Sequence, residues 1–130
     1  MAVSLSNFAH VAFVPISDGA KAIAFYRDML GLTLVEDQAP FALVFDLQGT
    51  MLRATFAGEF KAQPFTVLGW QVADIDATVE GLTAAGVMFN KYPWMQGEGA
   101  IWTAPGGTRI AWFQDPFGNV LSLQSASVEG

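Results

Sequence analysis

Residues 115–123 read DPFGNVLSL, and residues 47–55 read LQGTMLRAT. In each, a glycine is followed by the same apolar/polar rhythm, so that Gly118 matches Gly49 and Ser122 falls where Arg53 falls. Asp-Pro and Gly-Asn signal a turn, and the alternation after them signals a strand with one apolar face. One strand ending is therefore written twice in the chain.

The surrounding segments repeat as well. FAHVAFVPI, residues 8–16, has the Val and Phe content of a strand. Ser17 or Asp18 then offers a helix N-cap, and AKAIAFYRDML carries Ile23, Tyr26 and Leu30 at helical spacing before the stop at Gly31. Three strand candidates follow, LTLVED, FALVFDL and TMLRATFA. After the polar connector GEFKAQP the order begins again. FTVLGWQV reads as a strand and Asp74 as an N-cap. Ile75, Val79 and Leu82 share a helix face, and Gly86 is the stop. VMFNKYP, TRIAWFQD and NVLSLQ read as three more strands, with an extra segment, WMQGEGAIWTAPGG, between the first and second. Gly106-Gly107 within it suits a tight hairpin turn. The expected fold class is α+β: two βαβββ modules form a curved mixed sheet around a cup, with the helices on the outer face. Module one spans residues 8–57, a linker 58–64 and module two 65–124, all in a single domain.

Composition narrows the function classes. The chain has 130 residues, 52% of them hydrophobic, enough for one domain with a real core. There is no Cys, which excludes disulfides and thiolate chemistry, and a single His, which excludes a multi-His metal site within one chain. A net charge of -6 with only six Lys and Arg argues against a nucleic-acid partner. No apolar run approaches the ~20 residues of a membrane span, so no membrane partner is expected. The N-terminus lacks the features of a signal peptide, and a soluble cytoplasmic protein is the default reading. No phosphate-binding glycine loop follows a strand.

The repeat, with HVAF and AFYRDMLGL early and FQDPFGNVLSL late, resembles the vicinal oxygen chelate superfamily of glyoxalases, bleomycin-resistance proteins and extradiol dioxygenases. The resemblance covers residues 8–124 and is more specific for the fold than for the reaction. It implies a cup in which many members hold a divalent metal through the first and last strands of each module. The matching positions here are His10, Arg53, Val67 and Ser122. Only His10 is a good ligand. Arg53 is a permanent cation, Val67 has no donor and Ser122 is a weak neutral one. Asp46 and Glu98 lie at no matching strand position. The resemblance therefore implies a member that needs no metal or other cofactor.

Strand alternation assigns His10, Arg53, Thr55, Val67, Gly69 and Ser122 to the cup face, and Leu52, Ala54, Leu68, Trp70, Leu121 and Leu123 to the helix face. Each cup residue has a bland reading too. His10 can be a hydrogen-bonded core residue, Arg53 a cation reaching to solvent or to an acid, and Ser122 a tolerated small side chain. Trp112, between Ala111 and Phe113, is read as core. Tyr92, Trp94 and Trp102 flank a glycine-rich segment, and need a ligand, another subunit or their own domain edge to cover them. The expected function is a metal-free small-molecule-binding protein whose cup suits an aromatic or anionic organic ligand. His10, Arg53, Thr55, Val67, Ser122, Trp94 and Trp102 are its candidate contacts. The alternative is an isomerase, lyase or dioxygenase-like enzyme with His10 as acid/base and Arg53 stabilising negative charge. A homodimer is expected, because the sheet edges need partners.

Overall fold

The computed structural model describes residues 3–125. The chain divides between Phe60 and Lys61 into two compact units. Both are βαβββ modules, and the fold is α+β. Among the described residues no helix is long and apolar enough to cross a membrane.

The first unit opens with a 3-10 turn, Leu5–Asn7, and strand β1, Val11–Ile16. Asp18 caps helix α1, Gly19–Ala22, by accepting the Lys21 amide at 3.0 Å. The helix continues as a π-helix, Ile23–Met29, in which the Leu30 amide reaches back to the Phe25 carbonyl at 2.9 Å. Adjacent Phe25 and Tyr26 are both buried within it, their rings edge to face at 5.0 Å. The simple helical spacing of Ile23, Tyr26 and Leu30 carries no signal of the π-helix. Gly31 then adopts a φ of 81° and ends the helix. Strands β2 (Thr33–Gln38), β3 (Ala42–Leu47) and β4 (Thr50–Phe56) complete a four-stranded mixed sheet in the order β1-β4-β3-β2.

The second unit repeats this order with β5 (Thr66–Val72), α2 (Ile75–Ala84), β6 (Trp102–Thr103), β7 (Arg109–Gln114) and β8 (Val120–Ser125), arranged β5-β8-β7-β6. Asp74 caps α2 through the Ala77 amide at 3.0 Å. The sheet of neither unit is closed. The repeat extends to the turns: Gly49 and Gly118 both have φ 91°, a conformation that a Cβ disfavours.

One expected strand is absent. VMFNKYP forms only an isolated bridge, Phe89 to Phe113, plus one bond from the Asn90 amide to the Trp112 carbonyl at 2.7 Å. The chain then leaves the sheet edge. It returns at Trp102 and Thr103, inside the segment expected to be an insertion. Pro93 cannot donate to a ladder, and Lys91 holds the excursion out by donating to the carbonyls of Gly97 at 2.6 Å and Gly99 at 2.8 Å. The edge of this sheet is thus made by two short pieces of chain.

Each sheet buries one face under its helix. In the first unit this core contains Val14, Ile16, Leu43, Phe45, Leu52 and Ala54, with Tyr26 fully buried and its ring 5.7 Å from that of Phe45. In the second it contains Ala111, Phe113, Leu121 and Leu123, with Trp70 stacked on Phe113 at 6.3 Å. Arg109 ties β7 to the start of α2 by a two-pronged bond to Asp76 at 2.7 and 2.8 Å.

Candidate functional site

Register shows which residues share the second face of each sheet, away from the helix. In the first unit Phe13 on β1 is the partner of Arg53 on β4, and Arg53 is the partner of Val44 on β3. Val11 pairs with Met51, and Pro15 and Ala42 flank Thr55 in the same way. Partnered residues point to one side of a sheet. Arg53 is half-buried there, between exposed Phe13 and buried Val44, and its side chain makes no hydrogen bond or ion pair among the described residues. Thr55 is half-buried on the same face.

His10 does not join this row. It precedes β1, is exposed, and stands one residue out of phase with Val11 and Phe13. The place beside Arg53 belongs to Phe13. The sequence signal for this was available: an apolar/polar alternation read backwards from buried Ile16 and Val14 leaves Phe13, not His10, on the Arg53 side.

In the second unit the register slips between Thr66 and Leu68, so Val67 has no partner on β8 and is exposed. The partner of Ser122 is Gly69 on one side and Trp112 on the other. The space that Gly69 leaves is already taken, because a Cβ built on it would lie 2.7 Å from the Ser122 hydroxyl oxygen. Ser122 therefore places its hydroxyl in the gap left by its neighbour.

Trp112 is not core. It shares the second face with Ser122, while its neighbours Ala111 and Phe113 are buried beneath the sheet. Three aromatics from the edge excursion gather on it. Tyr92 meets it edge-on at 5.7 Å, Trp94 edge-on at 5.6 Å and Trp102 at a tilt at 6.0 Å. Tyr92 and Trp94 stack in parallel at 5.5 Å, and Trp94 meets Trp102 edge-on at 5.0 Å. These are favoured ring geometries, each pair contributing about 0.5–1.5 kcal/mol beyond its buried area. So the Trp residues of the excursion pack first on their own unit. The cluster still leaves Trp94 54% exposed. Its base is anchored by buried Met95, whose sulfur accepts the Tyr92 amide at 3.4 Å, and by the Asn90 amide group donating to the Tyr92 hydroxyl at 3.0 Å. Beside it lies a recess of about 230 Å³ lined by Gln96, Ile101, Trp102 and Thr103.

Taken unit by unit, neither row fits a divalent metal. In the first, Phe13 brings no donor and Arg53 is a fixed cation; in the second, Gly69 brings no donor and the Ser122 hydroxyl is neutral. No three His, Cys, Asp or Glu side chains come together among the described residues.

Comparison with known proteins agrees with this fold. The profile of the Glyoxalase/Bleomycin resistance protein/Dioxygenase superfamily matches residues 7–123. The uncharacterized protein YraH of Bacillus subtilis (strain 168) is 31% identical over 123 residues, covering 83% of this chain and 90% of its own. Among solved structures, a superfamily member from Sphaerobacter thermophilus DSM 20745 is 28% identical with a TM-score of 0.68, covering 92% of this chain and 99% of its own. A structure of lactoylglutathione lyase from Agrobacterium tumefaciens has a TM-score of 0.70 at 16% identity, covering 91% of this chain and 93% of its own, and at that identity shares the fold. With two βαβββ modules and a profile match over nearly its whole length, the chain belongs to the Glyoxalase/Bleomycin resistance protein/Dioxygenase superfamily.

Proposed function

We propose that this protein binds, without a metal, a small aromatic or anionic organic ligand. The observation that supports this best is the cluster of Tyr92, Trp94, Trp102 and Trp112 on a sheet face, with one indole largely in solvent. A flat, amphipathic surface held rigidly by its own ring contacts loses little side-chain entropy when a ligand stacks on it. Arg53 supports the anionic part of the reading. It is a half-buried cation with no acid holding it among the described residues, and its planar fork matches a carboxylate. The net charge of -6 opposes anions at long range, but salt screens that field beyond ~8 Å, inside which the guanidinium acts. An enzyme reading would need a base poised beside the charge-stabilising group, and His10 stands outside the Arg53 row.

The test compares two probes, 1-naphthoate and 1-naphthamide, followed by Trp fluorescence. Arg53→Ala is expected to weaken the carboxylate by roughly 1.5–3 kcal/mol, the scale of a hydrogen bond to a charged group, and the amide much less. Equal effects on both probes would remove Arg53 as an anion contact. Trp112→Leu is expected to weaken the amide, and unchanged binding of it would remove the aromatic cluster.

A further inference from the structure

The edge strand β6 carries a second kind of recognition element. Its partner residues on β7 are Ile110 for Trp102 and Arg109 for Thr103. In an antiparallel ladder, hydrogen-bonded and non-bonded pairs alternate. The Ala104 amide donates to the Thr108 carbonyl at 2.7 Å, which makes Ala104–Thr108 a bonded pair and Thr103–Arg109 a non-bonded one. The Arg109 amide confirms the phase, since it turns the other way and donates to the Ser125 hydroxyl at 3.0 Å. The N–H and C=O of Thr103 therefore face away from β7, toward a side where the sheet has no further strand among the described residues.

The recess of about 230 Å³ lies against this same residue, and none of its lining side chains, those of Gln96, Ile101, Trp102 and Thr103, is charged. Its volume falls below the ~300 Å³ at which drug-sized pockets begin, so it suits one fragment of a ligand. Gln96 and Ile101 belong to the excursion that Lys91 fastens at Gly97 and Gly99. That clamp sets the shape of the wall. An outward donor and acceptor on one residue match the two amides that flank a single residue of extended, peptide-like chain. The next outward position toward the C-terminus is Pro105, which has no N–H, so pairing stops after one residue. That favours a small molecule over an added protein strand.

We infer that the free edge of β6 and its recess form a binding site for a neutral, peptide-like small molecule, with Thr103 pairing its amides and the recess taking its ring. This goes beyond the stacking and anion contacts proposed above and does not depend on Arg53, so the two can fail separately. Lys91 acts as its positioning residue.

N-acetylphenylalaninamide is the probe, and amide and indole N–H resonances of the nitrogen-15-labelled protein are the readout. Saturable shifts at the Thr103 amide and the Trp102 indole are expected. The analogue methylated on the phenylalanine nitrogen lacks the donor for the Thr103 carbonyl, and is expected to bind roughly tenfold more weakly, the scale of one hydrogen bond. Shifts that do not saturate, or equal binding of the two probes, would overturn the inference; this comparison uses the unmodified protein and decides the matter alone. Thr103→Pro removes the outward N–H together with the threonine side chain, and is expected to keep the fold and lose at least tenfold in affinity, whereas Thr103→Ala, which keeps the N–H, is expected to lose less. Lys91→Met is expected to weaken the probe while leaving the β6–β7 amide resonances in place, and undiminished binding would remove Lys91 from its positioning role.

Discussion

Gly69→Ala tests the contact that explains Ser122. The new Cβ would sit 2.7 Å from the Ser122 hydroxyl oxygen, 3.4 Å from its carbonyl oxygen and 3.9 Å from its Cβ. Only the first distance is too short to stand, so the Ser122 hydroxyl must shift. Forcing a methyl into a filled space costs about 1–3 kcal/mol. Alanine at an ordinary strand conformation returns about 0.4–1 kcal/mol by restricting the unfolded chain. Gly69 has no positive φ, so the second effect applies in full. The net expectation is a loss of about 0–2.6 kcal/mol. In a Ser122→Ala background the offending oxygen is gone, and the same change should be neutral or stabilising by up to about 1 kcal/mol. Urea unfolding of the four proteins, with equal slopes, measures the coupling. Additive effects of the two changes would show that the Ser122 hydroxyl does not fill the Gly69 gap.

Three further outcomes follow from the same structure. Asp76 is held below the usual carboxylate range first by its hydrogen bond from Arg109, so its contribution is present above its ordinary value of 3.8 and is lost as pH falls through the lower native value; Asp76→Asn should lower Tm at neutral pH, and the gap from the unmodified protein should close in acid. Asp115 is buried and accepts the amides of Phe117 and Asn119 at 2.9 Å and the Asn119 side-chain amide at 2.7 Å; Asp115→Ala should cost about 2–4 kcal/mol in urea unfolding by leaving buried donors unmet. A homodimer remains a proposal from the unpaired sheet edges, and light scattering should give about twice the 14.0 kDa chain mass.

The repeat was legible because local chemistry enforces it. Asp18 and Asp74 are short acids before helical segments, and both cap. Gly49 and Gly118 each stand where a turn needs positive φ, and both take it. The candidate site was less legible. Trp112, between Ala111 and Phe113 in a strand, reads as core, yet with those two neighbours buried the alternation puts Trp112 on the other face. The aromatic cluster depends on how the chain crosses from Asn90 to Trp102, and that path is set by two bonds from the Lys91 ammonium to distant carbonyls. A lysine in a polar stretch gives no local sign of such bonds. The slip at Val67 is of the same kind, since a one-residue irregularity changes which side chain meets Ser122 without changing the strand's composition.

The most direct test of the account is the metal dependence of aromatic ligand binding. Protein purified without chelators, then divided and dialysed with or without EDTA, would be titrated with 1-naphthoate by calorimetry, with elemental analysis of both samples. Neither row of partnered residues offers a ligating set, Phe13 and Arg53 in the first unit or Gly69 and Ser122 in the second, which leads to one expectation: the same affinity in both samples and no stoichiometric metal in either. Near-stoichiometric zinc, nickel, iron or manganese in the untreated sample, with binding lost on EDTA treatment and restored by the metal, would contradict it.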